Sequence, residues 1–459
     1  MPSVPVRAPR NGWRTFVVLW ATQSLSVVGS ALTYFAISIY LAQTLYARPE
    51  QKPELALALS VVALAGALPA VLGAPLAGAW ADRHDRRRTM LGCDLGSSLV
   101  CLVLASLAMT GTLTLYALVP LVVLLSLLHS YHGASFDTSY VMLVPSAQLP
   151  RANGMMQTMW SLSGLLAPGL AAFILALPAL LLQGGLVLPG WLTGGIALVF
   201  LLDTLTFLFS GLVLTRLQIP SPRRTETVRP RLWADVAFGF RYIWARKPLL
   251  WLLGTFSFIN FVFAPMGIFE PLIVKFTLAP DWTARGLTFE SALALLATVG
   301  GLGGVLGGVL VSMWGGLKRQ RVLGILIPML VAGLALIAFG LSRNLYLSAA
   351  IVALAFAMTP IMNAHSQAIW QTQVPPELQG RVFSVRRLIA QFTAPVATAL
   401  AGIAGGIFNP GTVMVVLGVL FSLFCLAQLA NPYLRRVEDK AWLEELASRQ
   451  AKGAVSGAS

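Results

Sequence analysis

Long apolar runs alternate along this chain with short charged or turn-rich breaks. A helix needs roughly 20 apolar residues to cross about 30 Å of hydrocarbon. Twelve runs meet that requirement: 14–42, 55–80, 89–110, 113–142, 152–180, 191–215, 249–276, 288–313, 321–341, 345–370, 382–407 and 411–431. The pattern predicts an all-α integral membrane protein with twelve transmembrane helices, some long enough to require tilt or an interfacial extension. The longest hydrophilic interruption divides the runs six and six. The predicted organisation is an N-terminal six-helix bundle over 1–215, a linker over 216–248, a C-terminal six-helix bundle over 249–434 and a tail over 435–459. The linker opens with Pro220, Pro222 and Pro230 among a dense arginine population. Its second part differs: Trp233, Val236, Phe240, Ile243 and Trp244 recur near helical spacing, with Arg241, Arg246 and Lys247 nearby. This reads as an amphipathic helix lying on the inner leaflet. The tail, with Glu438, Glu444 and Glu445, reads as a short soluble helix before a disordered Gly/Ala/Ser end.

Composition agrees with a lipid solvent, because 57% of the residues are hydrophobic and only 11% charged, against about 25% charged in soluble proteins. The net charge of +15 would suggest nucleic acid on a soluble chain. Its placement points elsewhere. Of the 32 basic residues, 27 fall on the side of the termini and five (Arg48, Lys52, Lys275, Arg285 and Arg343) on the other. Short-loop Lys and Arg stay in the cytoplasm, so both termini are expected inside a cell membrane, with anionic lipid as the partner of this charge and no nucleic acid. Cys93, Cys101 and Cys425 lie in apolar runs without metal-type spacing. No phosphate loop, zinc helix or nucleophile elbow is present, so neither an enzyme nor a bound metal or cofactor is expected.

An offset of about 230 residues brings the halves into register. Val144-Pro145 before Arg151 matches Val374-Pro375 before Arg381, the Gly-rich end of the second run before Arg86 matches that of the eighth before Lys318, and Pro168 falls near Pro395. Duplicated bundles of like orientation suit alternating access about a site near the midplane.

Between the second and third runs the chain reads Gly-Ala-Trp-Ala-Asp-Arg-His-Asp-Arg-Arg-Arg, residues 78–88. This resembles the Gly-x-x-x-Asp-Arg-x-Gly-Arg-Arg loop of the major facilitator superfamily. The runs Val-Pro-Ser-Ala-Gln-Leu-Pro-Arg-Ala-Asn-Gly (144–154) and Val-Pro-Pro-Glu-Leu-Gln-Gly-Arg-Val-Phe (374–383) further resemble its drug:proton antiporter branch, which includes macrolide efflux pumps and the enterobactin exporter. The resemblance covers nearly the whole chain and implies the major facilitator fold. It also implies a conformational latch built from Gly78, Asp82, Arg83, Arg86 and Arg87, whose partner is the start of the eleventh run around Gly380 and Arg381. A carboxylate such as Asp82 is suited to a helix N-terminus, where dipole and unpaired amides favour negative charge. Asp85 departs from the motif's second glycine and is expected to imitate it through its tolerance of left-handed backbone. The fourth run carries no Arg or Lys, whereas many drug:proton antiporters carry an arginine there, so coupling schemes that use it do not transfer. Pro168-Gly169, with Gly164, resembles the antiporter motif of the same superfamily.

Ionisable groups within spans are costly and are functional candidates by default. The inventory is Asp94, His129, His132, Asp137, Asp203, Glu270 and His365. The resemblance implies that spans one, four, seven and ten line the cavity. Glu270, set between Pro265 and Pro271 in an expected broken helix, is the first proton-coupling candidate and Asp137 the second, joined by His129 and His132 on one helical face. Asp94 and Asp203, on spans three and six, are expected to bond neighbouring helices. Substrate-cavity candidates are Gln23, Ser26, Tyr34, Phe258, Asn260, Phe261, Asn363, His365 and Gln367, a mixture of aromatic and polar groups suited to amphiphiles. Glycines 300, 303, 304, 307 and 308 on span eight, and Gly66, Gly73 and Gly78 on span two, are expected to permit close helix packing. The functional expectation is a monomeric secondary transporter exporting a hydrophobic or amphipathic small molecule, drug or siderophore-like, in exchange for protons. The rival readings are a lysophospholipid flippase or nutrient importer of the same fold, or a non-transporting membrane sensor.

Overall fold

The computed structural model describes residues 11–145, 148–187, 189–190, 194–219, 232–446 and 448. The Pro- and Arg-rich linker segment 220–231, the side chains of Trp233 and Val236, and the tail end 449–459 lie outside the described residues. Among the described residues every regular element is helical. Twelve helices are long and apolar enough to span a membrane, and they are numbered here as spans one to twelve: Gly12–Leu45, Pro49–Arg83, Arg86–Met109, Leu115–Leu143, Arg151–Gln183, Gly195–Arg216, Lys247–Phe276, Phe289–Trp314, Leu323–Leu341, Leu345–Gln373, Glu377–Ile407 and Pro410–Leu429. A thirteenth helix, Leu232–Trp244, occupies the predicted amphipathic position, and the tail forms a helix over 440–446.

The duplication is visible in how equivalent helices begin and end. Span four is capped at its start by the Thr114 hydroxyl and span ten by Asn344, while Val144 and Val374 close the two helices on the carbonyls of Tyr140 and Trp370. Each pair is 230 residues apart. Side-chain caps satisfy amides that a helix start otherwise leaves unpaired. The Arg151 guanidinium lies 5.1 Å from the ring of Trp13, and that of Arg381 5.2 Å from the ring of Phe238. The same interaction thus recurs at the starts of spans five and eleven.

The chain divides into two compact units, residues 1–226 with 285–298 and residues 227–284 with 299–459. In the first unit, span one packs along five and six, span two along four, and span three along four and six. A buried polar pin joins three of these helices. Asp203 of span six accepts hydrogen bonds from Thr33 Oγ1 of span one at 2.7 Å and Thr206 Oγ1 at 3.1 Å, and Cys101 Sγ of span three lies 3.5 Å away. Gly29 makes room for it, since a methyl there would meet the carboxylate at 2.4 Å. Interhelical polar bonds of this kind average about 0.6 kcal/mol in membranes, so the two from Thr33 and Cys101 fix register more than they add stability.

In the second unit, span nine packs between ten and twelve, and the helix Leu232–Trp244 lies against spans seven and eleven. Gly239 of that helix sits where an added Cβ would lie 2.8 Å from the Arg381 carbonyl, so the helix backbone rests directly on the start of span eleven. Two glycines of span eight, Gly303 and Gly307, face the Ala353 and Ala357 carbonyls of span ten so closely that a Cβ would approach to 2.1 Å. Span two behaves differently from expectation. Gly66 and Gly73 meet only ordinary contacts, with Tyr34 and Leu127, and a Cβ at Gly78 meets nothing within 4 Å, so Gly78 has no packing role here. Span seven breaks at Ala264 and Pro265, giving helices Lys247–Phe263 and Met266–Phe276. Proline lacks the N–H that would continue the ladder, whereas Pro271, six residues later, is accommodated inside the second piece.

Candidate functional site

Residues of the first unit line an open cavity of about 330 Å³, within the size range of small-molecule sites. Spans one, three, four, five and six contribute to its wall. Six of the predicted residues share that wall: Gln23, Ser26 and Tyr34 from span one, and His129, His132 and Asp137 from span four. Three and four residues apart on a helix, such side chains share one face, as Gln23, Ser26, Ser30 and Tyr34 do. Phe136, Met159, Trp160 and Phe207 supply large polarizable surface beside them.

Asp94 joins this wall from span three and is 1% exposed. Its Oδ1 lies 3.3 Å from His132 Nε2, an ion-pair distance without hydrogen-bond geometry, and its Oδ2 has no hydrogen-bond partner among the described residues. Gln23 and Ser210 flank it, with Gln23 Nε2 donating to Ser210 Oγ at 2.6 Å. His129 Nε2 stands 3.5 Å from Ser30 Oγ. Two imidazoles and a carboxylate thus converge where a proton can be held close to an apolar ligand. Asp94 thus meets groups on spans one, four and six, in keeping with the expectation that it bonds neighbouring helices, and it does so at the cavity wall. The available signal was spacing: Asp94 and Ser97 are three apart, a polar stripe on an otherwise apolar helix. Asp203 joins spans one, three and six, as expected of it.

The candidates of the second unit lie on spans seven and ten, several of them engaged with neighbouring helices. Glu270 is partly buried, and its Oε1 finds no hydrogen-bond partner among the described residues. Phe258 stacks on Phe261 and packs against Phe424 of span twelve at a ring distance of 4.4 Å. Asn260 donates to the Ala390 carbonyl of span eleven at 2.9 Å. Gln367 accepts from Arg386 at 2.8 Å, and the same guanidinium bonds Ser366 and faces the Trp370 ring. Asn363 is exposed. His365 is 3% exposed and fully engaged with backbone: Leu317 N–H donates to its Nε2 at 2.8 Å, and its Nδ1 lies 2.7 Å from the Ile361 carbonyl. That geometry fixes the neutral tautomer protonated on Nδ1. His365 therefore anchors the turn after span eight, where Gly315 and Gly316 adopt positive φ, and has no nitrogen left for a ligand.

The loop after span two is tied down by its own residues. Trp80 stacks on His84 with ring centroids 3.7 Å apart and donates to Thr89 Oγ1 at 3.1 Å. Arg86 bonds the Ala81 carbonyl at 3.2 Å and reaches Met142 Sδ of span four. Arg87 donates to the Leu214 carbonyl at 2.8 Å and to that of Thr215. It thereby caps the end of span six, where a cation is favoured by the helix dipole. Asp82 and Arg83 are exposed. Asp85 corrects the expectation of left-handed backbone: its φ is −63°, and its carboxylate accepts from Arg88 N–H at 2.9 Å as the N-cap of span three. Aspartate replaces glycine here because it caps a helix, not because it imitates a glycine turn.

The profile of the Major Facilitator Superfamily matches residues 19–398. The chain belongs to this superfamily. Among its relatives, macrolide efflux protein A of Streptococcus pyogenes is 24% identical over 397 residues, covering 86% of this chain and 90% of the relative. The multidrug efflux pump Tap of Mycolicibacterium fortuitum is 28% identical over 364 residues, covering 76% and 80%. Among solved structures, a bacterial homologue of the human lysosomal transporter Spinster aligns with a TM-score of 0.63 at 17% identity, covering 96% of each chain. At that identity the likeness speaks for the fold alone. As a major facilitator superfamily member with twelve apolar spans, the chain is a multi-pass membrane transporter of small molecules and not an enzyme.

Proposed function

We propose that this transporter exports a hydrophobic or amphipathic small molecule in exchange for protons, working as a monomer in a bacterial inner membrane with both termini in the cytoplasm. The observation that carries the proposal is the cavity of the first unit, where the Asp94–His132 pair at 3.3 Å stands beside aromatic and methionine surface. A carboxylate that exchanges a proton in contact with the substrate wall links binding to the proton gradient, because loading one changes the local charge felt by the other. Glu270 is a second carboxylate for this role, and Asp137, at the same wall as His132, a third. The efflux relatives support the export direction, and the distribution of basic residues supports the orientation. Asp82, exposed at the end of span two, is assigned the latch role that the loop's resemblance implies, with Arg86 and Arg87 holding the loop in shape.

Efflux tests this directly. Cells lacking their own pumps are loaded with fluorescent cationic and neutral amphiphiles and followed with and without a protonophore. Protonophore-sensitive loss of at least one dye is expected from cells expressing the transporter and not from empty cells. Gradient-independent equilibration of every dye, with the protein confirmed in the membrane, would overturn proton exchange. Uptake driven by the same gradient would overturn the direction.

A further inference from the structure

The two units differ in how their last helix packs. Span six lies along both one and five in the first unit, whereas span twelve touches seven and eleven only sparsely in the second. A groove of about 630 Å³ is left at the end of span seven nearest the helix Leu232–Trp244. Its walls are Phe240 and Trp244 of that helix, Trp251 and Gly254 of span seven, and Ile389 of span eleven. Three of the aromatics remain open to the surroundings, Phe240 at 46%, Trp244 at 53% and Trp251 at 42% exposure. At Gly254 the space is empty, since a Cβ there would meet nothing within 4 Å.

The polar end of the groove has one sign of charge. Lys247 stands at its rim, 6.0 Å from the Tyr433 ring, and is exposed. The nearby acid of the tail, Glu444, is occupied by Arg246 at 2.8 Å, and Arg246 in turn covers the Tyr242 ring at 3.7 Å. Lys247 makes no ion pair among the described residues. An apolar trough that ends in aromatic rings and an ammonium matches a molecule with an acyl chain and an anionic headgroup, and indole rings favour the level where those two parts meet. We infer that this groove binds one anionic phospholipid of the surrounding bilayer, with its phosphate at Lys247 and an acyl chain along Trp251, Gly254 and Ile389. The lipid joins the helix Leu232–Trp244 to spans seven and eleven.

Native mass spectrometry of the detergent-purified full chain tests the site, with palmitoyl-oleoyl phosphatidylglycerol as the probe and the zwitterionic phosphatidylcholine of the same chains as the comparison without net charge. Wild type is expected to retain one phosphatidylglycerol at concentrations where phosphatidylcholine is lost. Lys247→Gln should weaken phosphatidylglycerol about fivefold, the equivalent of roughly 1 kcal/mol for one basic residue at an anionic surface, and weaken phosphatidylcholine, whose choline cation offsets its phosphate, by less. Lys440→Gln, an exposed cation of the tail outside the groove, should change neither. Gly254→Leu should abolish retention of the lipid by filling the trough; Ile389→Trp closes it from the opposite wall and must give the same loss should the first variant fold poorly. Wild-type retention by a well-folded groove-filling variant overturns the proposal. So do equal effects of the two lysine variants, or light scattering that reports a dimer dissolved by Gly254→Leu with no lipid adduct, which would make the groove an interface between copies.

Discussion

Replacing Asp94 with asparagine isolates the proton from the fold. The amide keeps the volume and the polar contacts beside Gln23 and Ser210, so packing among spans one, three and six is retained, but it cannot ionise 3.3 Å from His132. The size of the effect follows from the number of protons the pair can exchange. For the proposed exchange at one proton per cycle, a pH difference of one unit supplies about 1.36 kcal/mol, a tenfold ratio of a neutral substrate at equilibrium. Wild type in proteoliposomes with a one-unit gradient should therefore approach about tenfold accumulation. Asp94→Asn should fall to about onefold while still exchanging labelled for unlabelled substrate in the absence of a gradient. Retained exchange shows that binding and the conformational cycle survive. Tenfold accumulation by Asp94→Asn would falsify the assignment, and loss of accumulation in Glu270→Gln alone would move coupling to the second unit.

Three further outcomes follow from individual contacts. Asp85→Ala should cost about 1 kcal/mol through loss of the cap on span three, and Asp85→Gly only a few tenths; thermal unfolding in detergent ranks them, and a glycine variant more stable than wild type would restore the left-handed reading. Gly303→Ala places a Cβ where 2.1 Å separates it from the Ala353 carbonyl, so spans eight and ten must part by about 1 Å at a cost of about 1–3 kcal/mol. Gly304→Ala, whose Cβ meets only the Phe356 carbonyl at 4.0 Å, should unfold at the wild-type temperature or above it. Asp82→Asn should lower turnover several-fold with substrate affinity unchanged, measured as initial efflux rate against equilibrium binding; equal turnover removes Asp82 from the latch.

The fold was legible because the bilayer imposes a strong rule on local composition. Apolar length alone marks each span, and the 230-residue repeat that placed Val144 beside Val374 reappears as matching helix ends. The site was legible only where one helix carries its residues. Gln23, Ser26 and Tyr34 lie on one face of span one, and His129 and His132 on one face of span four, so periodicity brings each group together. Which helix then meets that face is a tertiary matter: an expectation that Asp94 bonds a neighbouring helix does not say that the helix is span four or the partner His132. His365 makes the complementary point. A histidine within a span reads as a functional group because an unsatisfied imidazole is costly there, yet the turn at Gly315 and Gly316 offers its Nε2 a backbone amide from a residue 48 positions away. The cost that makes such a residue conspicuous is removed by a partner that spacing cannot reveal. Asp94 stands instead at a cavity wall, 3.3 Å from an imidazole, whereas both oxygens of Asp203 accept hydrogen bonds from threonine hydroxyls; that difference is the physical ground for proposing Asp94 and not Asp203 as the exchangeable carboxylate.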